Sequence, residues 1–236
     1  METTDIRALF FDVFGTVVDW RSGVAREAEA ALAPKGQKLD WLAFADAWRD
    51  LYQPAMEEIR DGKQAFGRLD ELHRRNLRQV LDRFAVKGLS EAEIDQLNRA
   101  WHKLDPWPDV VPGLTRLRRK FILATMSNGN IALMVNMAKR AGLPWDAILG
   151  AEHAGDYKPK PRVYLAGAEA LYLAPAQCLM VAAHSGDLAA AAACGLPTAH
   201  IARPDEHGPG TGESAPSVKV DIAVGSMVEL AERLGC

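Results

Sequence analysis

Residues 8–20 read ALFFDVFGTVVDW. Four apolar residues, Ala8 to Phe11, lead straight into a carboxylate, Asp12, and a Gly15-Thr16 pair follows. A short apolar run bounded by turn residues is the pattern of a strand covered on both faces, as in a parallel sheet. An acid at the end of such a strand stands where open α/β sheets place their ligands, outside the carboxyl ends of the strands. Two residues past the acid comes Phe14, a side chain that cannot carry a proton.

The same kind of run recurs in IRALFFD (6–12), FILATMS (121–127), AILGAE (147–152), CLMVAA (178–183), TAHIAR (198–203) and DIAV (221–224). Helical stretches alternate with several of them: IALMVNMAKRAG (131–142), PRVYLAGAEALYL (161–173) and GDLAAAAACG (186–195). The first and last end on Gly, a common helix stop. Strand–helix alternation predicts an α/β core with a parallel sheet, in which Asp12, Ser127 and residues 182–185 meet at strand ends. Residues 21–103 differ. Trp41, Phe44, Ala45, Trp48 and Leu51 keep helical spacing, LDELHRRNLRQVLDRFA (69–85) repeats it, and Ser90 with Glu93 opens a further helix as a capping box. The pattern predicts a helical cap, residues 19–103, inserted into a core of residues 1–18 and 104–236, with DPWPDVVPG (105–113) as the return linker. The stretch RPDEHGPGTGESAPS (203–217) reads as mobile surface loop.

The chain has 236 residues, 48% apolar and 25% charged, with a net charge of −3, which gives no electrostatic footprint for nucleic acid. No apolar run is long enough to span a bilayer, and the start METTDIRALFF lacks a basic segment and a cleavage site. The three cysteines show no metal-type spacing, so a reducing cytoplasm is the expected setting, and Cys178 and Cys194, in apolar segments, are expected as small core residues. Trp48 and Phe66 are expected in the core. His73, His102, His153, His200 and His207 form no ligand set and are expected at the surface.

Four pieces line up in order: Asp12 with Gly15 and Thr16, Ser127-Asn128, Lys158 ahead of a helix, and AAHSGD (182–187) leading to Asp187. With a helical insert after the first strand, this order resembles the haloacid dehalogenase superfamily of aspartate-nucleophile hydrolases. The chemistry suits the residue types, because a carboxylate nucleophile must be ionised, aimed and partly desolvated, and a lysine beside it favours the charged form. Phosphoryl-transferring members carry a second aspartate two residues after the nucleophile and another in the fourth motif that helps hold Mg²⁺. Here those positions are Phe14 and Ala183. The resemblance is closest to the L-2-haloacid dehalogenases, through FDVFGTVVD (11–19), AWRDLYQ (47–53), MSNG (126–129) and YKPKPRVY (157–164).

That resemblance implies Asp12 as nucleophile, Thr16 supporting it or the water, and Arg49 receiving halide. It implies Ser127 and Asn128 on the substrate carboxylate, Lys158 and Tyr164 orienting Asp12, and Asp187 activating water. Phe14 would be an apolar wall. The implied substrate is a short 2-haloacid, with water as co-substrate, no cofactor, no metal and a homodimeric state. Where relatives carry a Ser and an Asn in the fourth motif, this chain has Ala182 and His184. His184 could position water, donate to the leaving halide or fill space. A bulky Phe14 with His184 predicts a tight cavity, favouring two-carbon acids, with slow release of fluoride from fluoroacetate. The rival expectations are a Mg²⁺-dependent phosphatase or phosphonatase and a non-catalytic binding protein on the same fold.

Overall fold

The computed structural model describes residues 5–236. The chain opens with β1 (Ala8–Phe11) and the two-residue β2 (Val18–Asp19), then runs through α1 (Trp20–Leu32), α2 (Trp41–Asp50), α3 (Tyr52–Arg60), α4 (Leu69–Arg83) and α5 (Glu91–Asn98). It returns in β3 (Asp105–Pro106), which pairs antiparallel with β2. The second half follows as α6 (Val110–Leu117), β4 (Ile122–Ser127), α7 (Ile131–Ala141), β5 (Ala147–Gly150), α8 (Ala151–Ala154) and α9 (Pro161–Ala170). It ends with β6 (Cys178–Ala182), α10 (Ser185–Ala193), β7 (Thr198–Ile201), β8 (Ile222–Val224) and α11 (Met227–Arg233).

Six strands form one parallel sheet in the order β5-β4-β1-β6-β7-β8. Its pleat explains the apolar runs. Leu9, Phe11, Leu123, Leu179 and Val181 pack into the larger core on one face. Ala8, Phe10, Ala124, Met126 and Met180 pack into a second core on the other. With both faces covered, neither face of β1 can be polar, and each large side chain fully buried contributes roughly 1.5–3 kcal/mol. From β1 the chain moves outward to β4 and β5 on one side and then crosses back to β6 on the other, so the carboxyl end of β1 is a topological switch point. Asp12 is the first residue past it.

The helical segment follows its sequence pattern. Phe44, Ala45 and Trp48 are buried, and Trp48 Nε1 donates to the His73 carbonyl at 2.9 Å. Trp41, Leu51 and Phe66 are half-buried against the same core. The Ser90 capping box is closed in both directions. Gly142, φ 69°, and Gly195, φ 84°, stop the helices before them in the left-handed region. Among the described residues no helix is long and apolar enough to cross a membrane.

Two expectations are corrected. His73, His102 and His200 are buried, and only His153 and His207 lie at the surface. Burial pushes His73 down to about 3, so this ring is neutral and stacks on Trp101 at 4.3 Å. Nor is 203–217 a detached loop. Arg203 Nε donates to the Thr16 carbonyl at 2.9 Å, and Ser185 N–H donates to Glu213 Oε1 at 3.0 Å. Turn-rich composition fixed the absence of regular structure there, but polar anchors tie the segment to the sheet.

Candidate active site

Asp12 sits where the backbone leaves β1, its N–H donating to the Val181 carbonyl of β6 at 3.0 Å. Its side chain is about 10% exposed, and both oxygens are engaged. Oδ1 accepts from Lys158 Nζ at 2.9 Å. Oδ2 accepts from Thr16 Oγ1 at 2.7 Å and meets His184 Nδ1 at 3.1 Å. Thr16 Oγ1 in turn accepts the Ala183 N–H at 2.9 Å, which fixes the direction of its proton. Burial alone would raise the Asp12 carboxyl, but the Lys158 charge and the His184 contact outweigh it and hold the group well below the usual carboxylate range.

Lys158 bridges two acids. Its Nζ also donates to Asp187 Oδ2 at 2.5 Å, and the Tyr164 hydroxyl donates to Asp187 Oδ1 at 2.5 Å. Burial works against the ammonium, yet the charges of Asp12 and Asp187 raise it above the ordinary lysine value. The Lys158 backbone N–H donates to Asn128 Oδ1 at 2.8 Å, joining the end of β4 to the segment before α9.

The opposite wall belongs to the helical segment. The Arg49 guanidinium lies 4.1 Å from the ring centre of Tyr52, 5.3 Å from Trp20 and 5.9 Å from Phe14. Its Nη1 is buried and has no hydrogen-bond partner among the described residues. Phe14 is 2% exposed and packs edge-on against Trp101. Between the two walls lies a cavity of about 440 Å³ lined by Asp12, Phe14, Arg49, Asn128, Lys158, His184 and Asp187. That volume exceeds what a two-carbon acid fills, so the expected tight cavity is not what the structure shows.

Three of the sequence-derived candidates lie behind the cavity. Thr16 is fully buried and reaches it only through Asp12. Ser127 is fully buried, and its Oγ accepts the Gly129 N–H at 3.1 Å, closing the turn after β4. Tyr164 is fully buried on α9 and bonds Asp187, not Asp12. Neither Ser127 nor Tyr164 lines the cavity.

Other residues escape sequence reasoning. Tyr52, Gln53 and Arg60 also line the cavity, and Arg60 Nη1 donates to the Lys158 carbonyl at 2.7 Å. Glu206, 2% exposed, meets His184 Nε2 at 2.8 Å through Oε2 and accepts from Trp20 Nε1 at 3.1 Å through Oε1. His184 therefore lies between two carboxylates. Burial lowers it, the contacts with Asp12 and Glu206 raise it further, and it is pushed up to about 10, an imidazolium at neutral pH. The signal for Glu206 lies at Gly15. A Cβ there would fall 2.0 Å from Glu206 Oε1, and Gly15 has φ +85°. The glycine of the first motif leaves room for that carboxylate.

The haloacid dehalogenase-like hydrolase family model matches residues 6–195. The chain belongs to this family. The dehalogenase-like chain is 30% identical over 204 residues to (S)-2-haloacid dehalogenase 4A of Burkholderia cepacia, covering 84% of each. It is 27% identical to (S)-2-haloacid dehalogenase 1 of Pseudomonas sp. strain CBS-3, covering 84% of this chain and 85% of that one. In structure it is similar to the defluorinating L-2-haloacid dehalogenase Rha0230, with 46% identity, a TM-score of 0.96 and coverage of 98% and 96%. The L-2-haloacid dehalogenase PA0810 gives 42%, 0.93, and 97% and 98%.

Proposed function

We propose that this protein hydrolyses the carbon–halide bond of short 2-haloacids, displacing halide with Asp12 and releasing a 2-hydroxy acid. One observation carries the reading: a cavity holding an ionised, immobilised carboxylate on one wall and an unpartnered, buried guanidinium nitrogen on the other. A carboxylate is a modest nucleophile that gains from desolvation and aim. A departing halide needs donors where its charge appears, and these act most strongly away from water. Arg49 supplies one beside Phe14.

Attack by Asp12 on C2 in line with the departing halide inverts that carbon, so an (S)-2-haloacid gives the (R)-hydroxy acid. Asn128 holds the substrate carboxylate at the end of β4, Phe14 keeps the reacting carbon dry, and Asp187 takes a proton from the water that opens the ester. Residues 19–103 act as a cap over a core of residues 1–18 and 104–236. The reaction uses no metal, because Phe14 and Ala183 stand where phosphoryl-transferring relatives carry acids. A cytoplasmic homodimer is the setting the resemblance supports. Fluoroacetate is a slow substrate: fluoride is the strongest hydrogen-bond acceptor of the halides, and the similarity to a defluorinating enzyme supports it.

The test is halide release from chloroacetate, 2-chloropropionate and fluoroacetate, before and after exhaustive chelation, beside phosphate release from p-nitrophenyl phosphate. Chelator-resistant halide release with no phosphatase activity is expected. Phosphate release restored by Mg²⁺, with no halide release, overturns the reading. No fluoride from the parent enzyme removes the fluoroacetate claim alone.

A further inference from the structure

The two oxygens of Asp12 are not equivalent. Each carboxylate oxygen offers about two lone-pair sites. Both sites of Oδ2 are taken, by Thr16 Oγ1 at 2.7 Å and His184 Nδ1 at 3.1 Å, whereas among the described residues Oδ1 accepts only from Lys158, at 2.9 Å. The free lone pair is on Oδ1, so Oδ1 is the oxygen that bonds to C2. Oδ2 then remains as the carbonyl oxygen of the ester, with its two donors still in place.

We propose that His184 and Glu206 serve the second half of the reaction. Resting on the ester-forming reading above, the His184 Nδ1–H, beside the Thr16 hydroxyl, receives the oxyanion that forms on Asp12 Oδ2 when water attacks the ester. Glu206 is the positioning residue that keeps His184 cationic once Asp12 has been neutralised by esterification.

The step balances. Water adds to Asp12 Cγ, one of its protons passes to Asp187, and the π pair moves onto Oδ2. The pair then returns, the Cγ–Oδ1 bond breaks, and Lys158 Nζ gives its proton to Oδ1. Lys158 recovers a proton from Asp187, which it already contacts at 2.5 Å. The hydroxy acid leaves with Oδ1, and the new Asp12 carboxyl loses its remaining proton to solvent.

Glu206 is needed because the resting partner of His184 disappears. In the free enzyme the imidazolium has two carboxylates, at 3.1 and 2.8 Å. In the ester it has one, and without any a buried imidazole favours its neutral form. Glu206 is suited to remain: it is 2% exposed, anchored by Trp20 Nε1, and seated against Gly15, where any side chain would collide with it. A cationic donor forms a stronger hydrogen bond to a developing anion than a neutral one.

The experiment is rapid mixing of excess chloroacetate with the parent, His184→Ala and Glu206→Gln, following chloride and, after acid quench, the mass of the Asp12 peptide. In His184→Ala a burst of one chloride per site should precede turnover slowed on the order of a hundredfold, the cost of losing one oxyanion donor. The Asp12 peptide should carry the ester. Glu206→Gln should show the same burst with turnover slowed roughly tenfold at neutral pH, the difference between a charged and a neutral hydrogen bond. Its slow phase should fall further as pH rises through the neutral range, while the parent's does not. The other titratable or charged groups near His184 are His200 with Glu213, Lys158 through Asp12, and His207 and Arg49 through Glu206; both substitutions leave these side chains in place, and Glu206→Gln removes the carboxylate charge that His207 and Arg49 face. A burst certifies a folded site, and if Glu206→Gln does not fold, His184→Ala carries the test. Loss of the burst in step with turnover, with no trapped ester, places the pair in halide displacement and overturns the proposal. Parental turnover in both variants also overturns it. A parent inert toward every 2-haloacid sinks the dehalogenase reading itself, and this inference with it.

Discussion

At the carboxyl ends of β1, β4 and β6 the charged side chains have partners, whereas across the same cavity the Arg49 guanidinium ends in a buried nitrogen with none. The sheet side is a closed network: Thr16, Lys158, His184, Asp187 and Tyr164 hold one another at 2.5–3.1 Å around Asp12. The helical side offers aromatic rings and an unfulfilled donor. A buried guanidinium nitrogen without a hydrogen-bond partner lowers stability, so its retention makes sense where an anion passes. The saturated wall aims what attacks, and the unsaturated wall waits for what leaves.

The sharpest way to break this contrast is at its centre. Asp12→Ala should reduce halide release to the uncatalysed background, while Lys158 keeps Asp187 as a partner and the sheet folds. In a single turnover with excess enzyme in heavy-oxygen water, the parent should place label in the Asp12 peptide and leave the product unlabelled. Label appearing first in the product would mean that water, not Asp12, attacks C2.

Arg49 is the next largest effect. Arg49→Ala should slow halide release on the order of a hundredfold, as loss of a donor aimed at developing charge does. Because Nη1 has no protein partner to lose, the melting temperature should stay level or rise. Arg49→Lys should recover little, since a single ammonium does not reproduce the planar fork. Near-parental turnover in Arg49→Ala would return it to an ordinary cap residue and erase the contrast.

The two walls were also unequally legible in the sequence. β1, β4 and β6 declare themselves by apolar runs because both sheet faces are covered, and polar residues at their ends stand out against that background. Asp12 and Asn128 stand at such ends, Lys158 and Asp187 are legible only through the order of the motifs, and the structure brings all four to one cavity. Tyr164 and Ser127 lie one layer behind the cavity, because spacing along a chain does not say which side of Asp187 or of a turn a hydroxyl takes. Glu206 was invisible. It lies in a segment with no periodicity, 186 residues from the Trp20 indole that anchors it, and its composition is that of free loop. Arg60 had no signal either, because one arginine on an amphipathic helix looks like any other solvated charge.

The smallest predicted effect tests the network through stability instead of rate. His184 ordinarily titrates near 6.5 and is raised to about 10 here by Asp12 and Glu206, against the opposing effect of burial. A raised value means the folded state binds the proton more tightly than the unfolded one. The imidazolium therefore contributes its full stabilisation below about pH 6.5 and loses it progressively as pH climbs toward 10. His184→Asn removes that contribution and leaves Glu206 with Trp20 alone among its close donors. Its melting temperature should lie a few degrees below the parent's at pH 6.5, given roughly 2–4 °C per kcal/mol for a chain of this size. The gap should narrow steadily toward pH 10, a window in which Asp12 and Glu206, both held below their usual values, stay ionised. Thermal melts of both proteins across that range would decide it. A gap that stays constant with pH would mean that His184 fills space beside Asp12 without carrying charge, and the closed network would lose its only imidazolium.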